Sequence, residues 1–277
     1  MRIKVDLENV NFKVITKEGV KCGFCNKILK PIGLDYLYSN IDQDMLEYER
    51  CDCKQAVEFW KDYDAKENEK EKQRKYREII NKIYKDNYMK KRLQKYNFET
   101  IDEINVGEEV VKTIKKYTEL CVKGEMKNGI IIYGNIGHDN TYLAASIANK
   151  LIENNKIVLM ERSSSIIDRI KESFNENIVS ETEIIELYSN VDMLIIDDLG
   201  SENLSKWAIE KLYKIIINRY ENELPIIITS RYNKNEILDK LSNENDLEMA
   251  EELVQILYRM CYGITISKNN FEAKKLA

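Results

Sequence analysis

Three groups of residues in this chain have the types and spacings that chemistry needs. The first is a set of cysteines. Cys22-Gly23-Phe24-Cys25 and Cys51-Asp52-Cys53 form two close pairs separated by a loop of about 25 residues. Short spacers let each pair clamp an ion from a tight turn, and four thiolates complete a tetrahedral zinc site. Lys27 and Lys54 flank the pairs, and their charge offsets a site carrying excess negative charge. The single histidine is at position 138, so an all-cysteine set is the option for such a site. Two other readings stay open: unrelated free thiols, and a redox C-x-x-C, which would sit at a helix start in a thioredoxin-like unit. Cys121 and Cys261 fall in helical patterns and read as buried apolar residues.

The second group is a phosphate loop with substitutions. Such a loop has the form G-x-x-x-x-G-K-[ST] between a strand and a helix. Its amides cradle phosphates, its lysine reaches the β- and γ-phosphates, and its hydroxyl holds Mg²⁺. The equivalent stretch is Gly134-Asn135-Ile136-Gly137-His138-Asp139-Asn140-Thr141. Gly134, Gly137 and Thr141 are in place. Asp139 stands where the second motif glycine would be, adding a side chain and a negative charge where backbone must approach an anion. Asn140 stands at the lysine and supplies no positive charge. Phosphate binding would then rest on the helix dipole, the amides, the metal and His138.

The third group is a pair of acids. Val191-Asp192-Met193-Leu194-Ile195-Ile196-Asp197-Asp198 is an apolar strand that ends in two carboxylates. At the carboxyl edge of an open α/β sheet, where ligands bind, Asp197 would hold Mg²⁺ and Asp198 would orient or activate an attacking water. The plainer reading is a buried strand that simply ends in polar residues.

These residues need elements to position them. With 277 residues, 43% of them hydrophobic and 33% charged, the chain can build one sizeable α/β domain and a smaller module. A formal net charge of −5 decides nothing about partners. No apolar run is long enough to cross a membrane, and the first residues lack the apolar core of a signal peptide, so a cytoplasmic protein is expected.

Composition divides the chain into three zones. Residues 1–53 hold four of the six cysteines, are punctuated by Pro31 and Gly33, and have Tyr36, Leu37 and Tyr38 as an apolar cluster. Residues 54–97 read as one or two long helices with Trp60, Tyr63, Tyr76, Ile79, Ile80, Ile83 and Tyr84 at helical spacing. That zone turns basic at Lys82, Lys85, Lys90, Lys91, Arg92 and Lys95, against Asp86 alone; it is a solvated linker or a contact for nucleic acid or a partner helix. Residues 98–277 alternate helix and strand. Helices are expected at about 106–122, 141–153, 204–220 and 248–261, and strands at 129–133, 156–160, 192–196, 225–229 and 263–267. Trp207, Ile209, Leu212, Ile215 and Ile216 would face inward. Short apolar strands between helices indicate a parallel sheet covered on both faces.

Several segments of the last zone resemble one family. Gly-Ile-Ile-Ile-Tyr-Gly-Asn-Ile-Gly (129–137), Leu-Ile-Ile-Asp-Asp-Leu-Gly-Ser-Glu (194–202) and Ile-Ile-Asn-Arg-Tyr (216–220) look like the DnaC/DnaI/IstB group of AAA+ ATPases. So do Pro-Ile-Ile-Ile-Thr-Ser (225–230) and Leu-Tyr-Arg-Met-Cys (257–261). The resemblance implies an α/β AAA+ P-loop parallel-sheet core over 98–277, with an N-terminal zinc-binding module at 1–53 and a helical linker at 54–97. It implies ATP and Mg²⁺ as cofactors. It also implies a homo-oligomer, a replicative DNA helicase as partner and single-stranded DNA as a second ligand, in the phage or Gram-positive helicase-loader arrangement. Thr141 and Asp197 match the magnesium positions, Asp198 the catalytic acid, and Arg259 the arginine presented to a neighbour's nucleotide. Arg162-Ser163-Ser164-Ser165, with Arg169 and Lys171, is a candidate contact for DNA phosphates; Ser163 is equally a candidate helix N-cap.

The chain departs from the family's pattern at more than the lysine. The polar sensor after the fourth strand is usually asparagine, and here Ser230 is followed by Arg231. An arginine often follows an aromatic residue near the C-terminus, and here Phe271 is followed by Glu272, with Lys274 and Lys275 nearby. Such departures make a non-hydrolysing adaptor an alternative to an active ATPase. An IstB-like transposition helper is a third reading, disfavoured by the cysteine module.

Overall fold

The computed structural model describes residues 13–16, 19–32, 47–84, 91–99, 101, 106–134, 139–174, 179–242, 247–266 and 272–275. Asn135, Ile136, Gly137 and His138 of the phosphate loop lie outside these residues. So do Gly33, Tyr36, Leu37, Tyr38, Lys85, Asp86, Lys90 and Phe271. The chain divides into two compact units, Met1–Arg74 and Lys75–Ala277.

In the first unit, β1 (Lys13–Thr16) pairs antiparallel with β2 (Gly19–Cys22), and β3 (Pro31–Ile32) with β4 (Glu47–Tyr48). The helix α1 (Lys54–Tyr84) begins here as one continuous element, where the sequence left one or two open. Its exposed middle is laced by i,i+3 pairs such as Lys70–Glu67 and Arg74–Glu71, which favour a solvated helix. The buried core of the unit consists, among the described residues, of Val20, Cys22, Leu29, Cys51 and Ala56. So small a core gives little hydrophobic stabilisation by itself.

The second unit is a sheet between two layers of helices. Its strands are β5 (Gly129–Tyr133), β6 (Val158–Arg162), β7 (Met193–Asp197), β8 (Ile226–Ser230), β9 (Cys261–Thr265) and β10 (Glu272–Lys275). They run in the order β10-β9-β5-β8-β7-β6, with β10 antiparallel at the edge and the other pairings parallel. The helices are α2 (Glu108–Lys123), α3 (Asp139–Glu153), α4 (Ser163–Glu172), α5 (Glu181–Asn190), α6 (Lys206–Glu221), α7 (Lys234–Ser242) and α8 (Leu247–Met260).

Strand residues alternate between the two cores, as the pleat requires. Leu194, Ile196, Ile226 and Ile228 pack with Ile209, Leu212, Leu253 and Leu257 on one face. Met193, Ile195, Ile227, Ile130 and Ile132 pack with Ile114, Leu143 and Ile147 on the other. Both faces are therefore apolar, which is why these strands read as unbroken Ile/Leu runs. Tyr76, Ile79 and Ile80 of α1 join the first of these cores.

The expected elements of this unit are present with shifted ends. β6 starts two residues later than its periodicity suggests, and β9 two residues earlier. The second shift places Cys261 on a strand rather than a helix, buried as anticipated. Helix α7 and strand β10 were not anticipated. Trp207 is only partly buried and lies against Phe174, at 6.1 Å between ring centroids, while Ile209, Leu212, Ile215 and Ile216 are buried.

Candidate functional site

The carboxyl ends of β5, β7 and β8 bring the site together. β8 lies between the other two, with Tyr133 paired to Ser230 and Ile196 to Ile228. The loop after β5 leads into α3, and its first residue, Gly134, sits hard against the chain after β9. A Cβ there would lie 2.3 Å from the Ile266 carbonyl oxygen, so only glycine fits.

Thr141, in the first turn of α3, donates from Oγ1 to Asp197 Oδ1 at 2.7 Å. Thr229 on β8 donates to the same oxygen at 2.7 Å, and its own Oγ1 accepts from the Asp198 N–H at 2.8 Å. Thr229 thus joins both acids, a role that sequence reasoning missed. Its position at the end of Pro-Ile-Ile-Ile-Thr-Ser, on the same sheet edge as Asp197, was the available signal.

Asp198 takes a left-handed backbone conformation, φ 56°, which turns the chain away from β7. Its carboxylate accepts two bonds from Arg231, Nε to Oδ1 at 3.2 Å and an Nη to Oδ2 at 2.7 Å. This hydrogen bond and charge raise the Arg231 pKa above its usual value. The sequence marked Arg231 as a departure from asparagine without identifying its partner.

The family resemblance implies a nucleoside triphosphate with Mg²⁺, and the two halves of that requirement are met differently. Thr141 and Asp197 put a hydroxyl and a carboxylate side by side, a donor set that suits Mg²⁺. Asn140, at the lysine position, is only 5% exposed. Its Nδ2 donates to the carbonyls of Gly134 at 3.4 Å and Ser230 at 3.2 Å. Its Oδ1 is buried without a hydrogen-bond partner among the described residues. Asn140 therefore ties the start of α3 to the ends of β5 and β8 and brings no charge to a phosphate. Asp139 opens α3. Arg259 lies exposed in the last turn of α8.

The DNA-contact candidate is engaged by the protein's own acid. Glu202 accepts from Ser164 N at 3.0 Å, from Ser164 Oγ at 2.7 Å and from Ser163 Oγ at 3.3 Å, with an Arg162 Nη 3.9 Å away. A carboxylate from the loop after β7 caps α4, so the cap expected of Ser163 comes from Glu202 instead. Arg169 donates to Glu161 at 2.9 Å. A buried arginine in the Asn-Arg-Tyr segment has a structural task. Arg219 donates to the carbonyls of Tyr188, Val191 and Pro225, and burial lowers its pKa.

In the first unit the four cysteine sulfurs all lie within 4.8 Å of one another. Cys25 and Cys51 are 3.4 Å apart, and Cys22 and Cys53 are 3.9 Å apart. A tetrahedron with Zn–S bonds of about 2.3 Å has edges of about 3.8 Å, so the set fits zinc. The turn is tight: Asn26 N donates to Cys22 O and Cys22 N to Lys27 O, both at 2.9 Å, with Asn26 at φ 60°. Burial pushes the Cys22 thiol up, but donation from the Phe24 and Cys25 backbone and neighbouring thiols outweighs it and brings the pKa to about 7. Lys27 pairs with Asp52 at 2.9 Å beside the cluster.

The parallel strands, read as fifth-first-fourth-third-second in chain order, together with the Thr141–Asp197 edge, define a P-loop domain of the AAA+ type. The family model described as IstB-like ATP binding protein matches residues 49–276, and the chain belongs to that family. The replicative helicase loader DnaC of Escherichia coli K12 is 31% identical over 134 residues, 48% of this chain and 50% of that protein. The replicative helicase loader DnaI of Bacillus subtilis 168 is 21% identical over 187 residues, 64% of this chain and 58% of that protein. The chain thus spans about half the length of the curated relatives it matches. A crystal structure of DnaI superposes with a TM-score of 0.55 at 22% identity, over 65% of this chain and 95% of that one; at that identity the likeness is one of fold. A crystal structure of the DnaC helicase loader gives 0.53 at 25% identity, over 64% and 100%. Among the described residues, no helix is long and apolar enough to cross a membrane.

Proposed function

We propose that this chain is a DNA replication accessory factor of the helicase-loader kind, working on a replicative DNA helicase and single-stranded DNA. The observation that carries the reading is the Thr141–Asp197 edge within a sheet shared with DnaC and DnaI, proteins named as replicative helicase loaders. Thr141 and Asp197 would hold Mg²⁺, which screens the phosphates of a bound nucleotide. Asp198 would be the acid that orients water. Arg259, exposed on α8, suits a contact to the nucleotide of a neighbouring copy in a homo-oligomer.

The cysteine unit would hold one zinc ion through Cys22, Cys25, Cys51 and Cys53. Its exposed Phe24, Ile28, Ile32 and Val57 support a role in protein contact, and the helicase is the partner this reading assigns. The DNA contact is assigned to Arg162, Ser163, Ser164 and Ser165, with Arg169 and Lys171.

A second reading, the non-hydrolysing adaptor, is favoured by a specific observation: Asn140 is uncharged and bonded to two backbone carbonyls. ATP turnover stimulated by single-stranded DNA and abolished by Asp198→Asn would exclude the adaptor. Capture of helicase without detectable nucleotide binding would exclude the enzyme. Recovery of a transposase and no helicase in a pull-down would replace both with a transposition helper, the reading the cysteine module disfavours.

A further inference from the structure

We propose that Arg231 supplies, from just beyond the end of β8, the positive charge that Asn140 does not, exchanging Asp198 for the terminal phosphate of a bound nucleoside triphosphate. This rests on the nucleotide reading above and assigns a residue to it.

The backbone places Arg231 for this task. Ser230, its neighbour, is paired across the sheet with Tyr133, the residue before Gly134. Asn140 Nδ2 reaches both the Gly134 and Ser230 carbonyls, so the start of α3 and the end of β8 are fastened at one point. Arg231 leaves the sheet from that point. Its neighbours Thr229 and Ser230 are both buried and held: Thr229 by the two acids, Ser230 by a bond from Oγ to the Leu199 carbonyl at 2.7 Å.

The side chain itself is free to change partners. Arg231 is 59% exposed, whereas Asp198 is 16% exposed and its backbone is fixed by Thr229 and Ser201. A half-exposed ion pair is weak. A triphosphate carries several negative charges against one on Asp198, and the guanidinium fork matches phosphate oxygens as well as it matches a carboxylate. The exchange has a second effect. It releases the Asp198 carboxylate only when a terminal phosphate is present to hold Arg231.

Asp198 would repel phosphate if Arg231 were merely removed, so the test must separate screening from contact. Calorimetry of Mg²⁺-ATP and Mg²⁺-ADP on the full chain would compare wild type with Arg231→Gln, Arg231→Lys, Asp198→Asn and the Arg231→Gln/Asp198→Asn double variant. The expected result is a loss of tenfold or more in ATP affinity with Arg231→Gln, a smaller loss for ADP, and most of the affinity kept by Arg231→Lys. The double variant should stay as weak as Arg231→Gln. Full recovery in the double variant would reduce Arg231 to a screen for Asp198 and overturn the proposal. Unchanged affinity in Arg231→Gln would overturn it while leaving the nucleotide reading intact. Absence of binding by the wild type would overturn both.

Discussion

Thr141 and Asp197, far apart in sequence, share a hydrogen bond of 2.7 Å at the carboxyl edge of the sheet. Thr229 adds a second at the same oxygen. Two hydroxyls therefore converge on one carboxylate oxygen, and replacing the acid with Ala leaves both without their acceptor. Asp197→Ala should lower stability by about 1–3 kcal/mol in urea unfolding, the cost of losing an acceptor from a partly buried network. Asp197→Asn should remain folded while the magnesium-dependent part of nucleotide binding disappears. Equal affinity with and without Mg²⁺ in wild type would remove the metal from this edge.

Arg219 carries a different kind of demand. It is fully buried and joins the end of α5 to the residue preceding β8 through three carbonyls. Its bonds run to carbonyls and not to a carboxylate, so its substitution removes a geometric clamp. Arg219→Met should cost roughly 3 kcal/mol or more, because several buried acceptors lose their donor at once. Arg219→Lys should recover little, since one ammonium cannot reproduce the planar fork. A midpoint of urea unfolding unchanged in Arg219→Met would refute this account.

The sheet was legible because its strands are buried on both faces and bounded by turns, as in Ile130-Ile131-Ile132 and Leu194-Ile195-Ile196. The two acids were legible because Asp197 and Asp198 end an apolar run. The partners of those groups were not. Thr229, Glu202 and Arg231 act across the sheet edge, and contacts between distant segments leave no period in the sequence. The Ser163 cap shows the same limit: a serine before a helix is a local signal, while the Glu202 carboxylate that holds α4 arrives from the loop after β7. The cysteines were legible by spacing, and their convergence needs no long-range guess beyond the pairing of two turns.

Metal should matter most where the core is smallest. Among the described residues, those buried around the cysteines are Val20, Cys22, Leu29, Cys51 and Ala56, a small core for holding a unit firmly. Purified protein should contain about one zinc per chain, as one four-cysteine site requires. Cys22→Ser/Cys25→Ser should lose it, and so should treatment with a strong chelator. In both cases proteolysis should open the residues before α1 while those after β5 stay protected. Metal retained in the double variant would show that these four sulfurs are not the ligands.

Glu202 offers the sharpest test of the DNA contact. It caps α4 through Ser164 N and both serine hydroxyls, and it lies beside Arg162. Those are the groups a DNA phosphate would use, so carboxylate and phosphate compete for one set of donors. Glu202→Ala should lower stability by about 1 kcal/mol through loss of the cap. It should also tighten binding of single-stranded DNA, because the serines, the helix N-terminus and Arg162 become available and a negative charge is gone. Fluorescence anisotropy with a labelled oligonucleotide, repeated across a salt series, measures both effects on binding. A steeper salt dependence in Glu202→Ala than in wild type would place phosphate on Arg162. Unchanged affinity and slope, with the stability loss present, would leave Glu202 as a helix cap and move the DNA contact elsewhere.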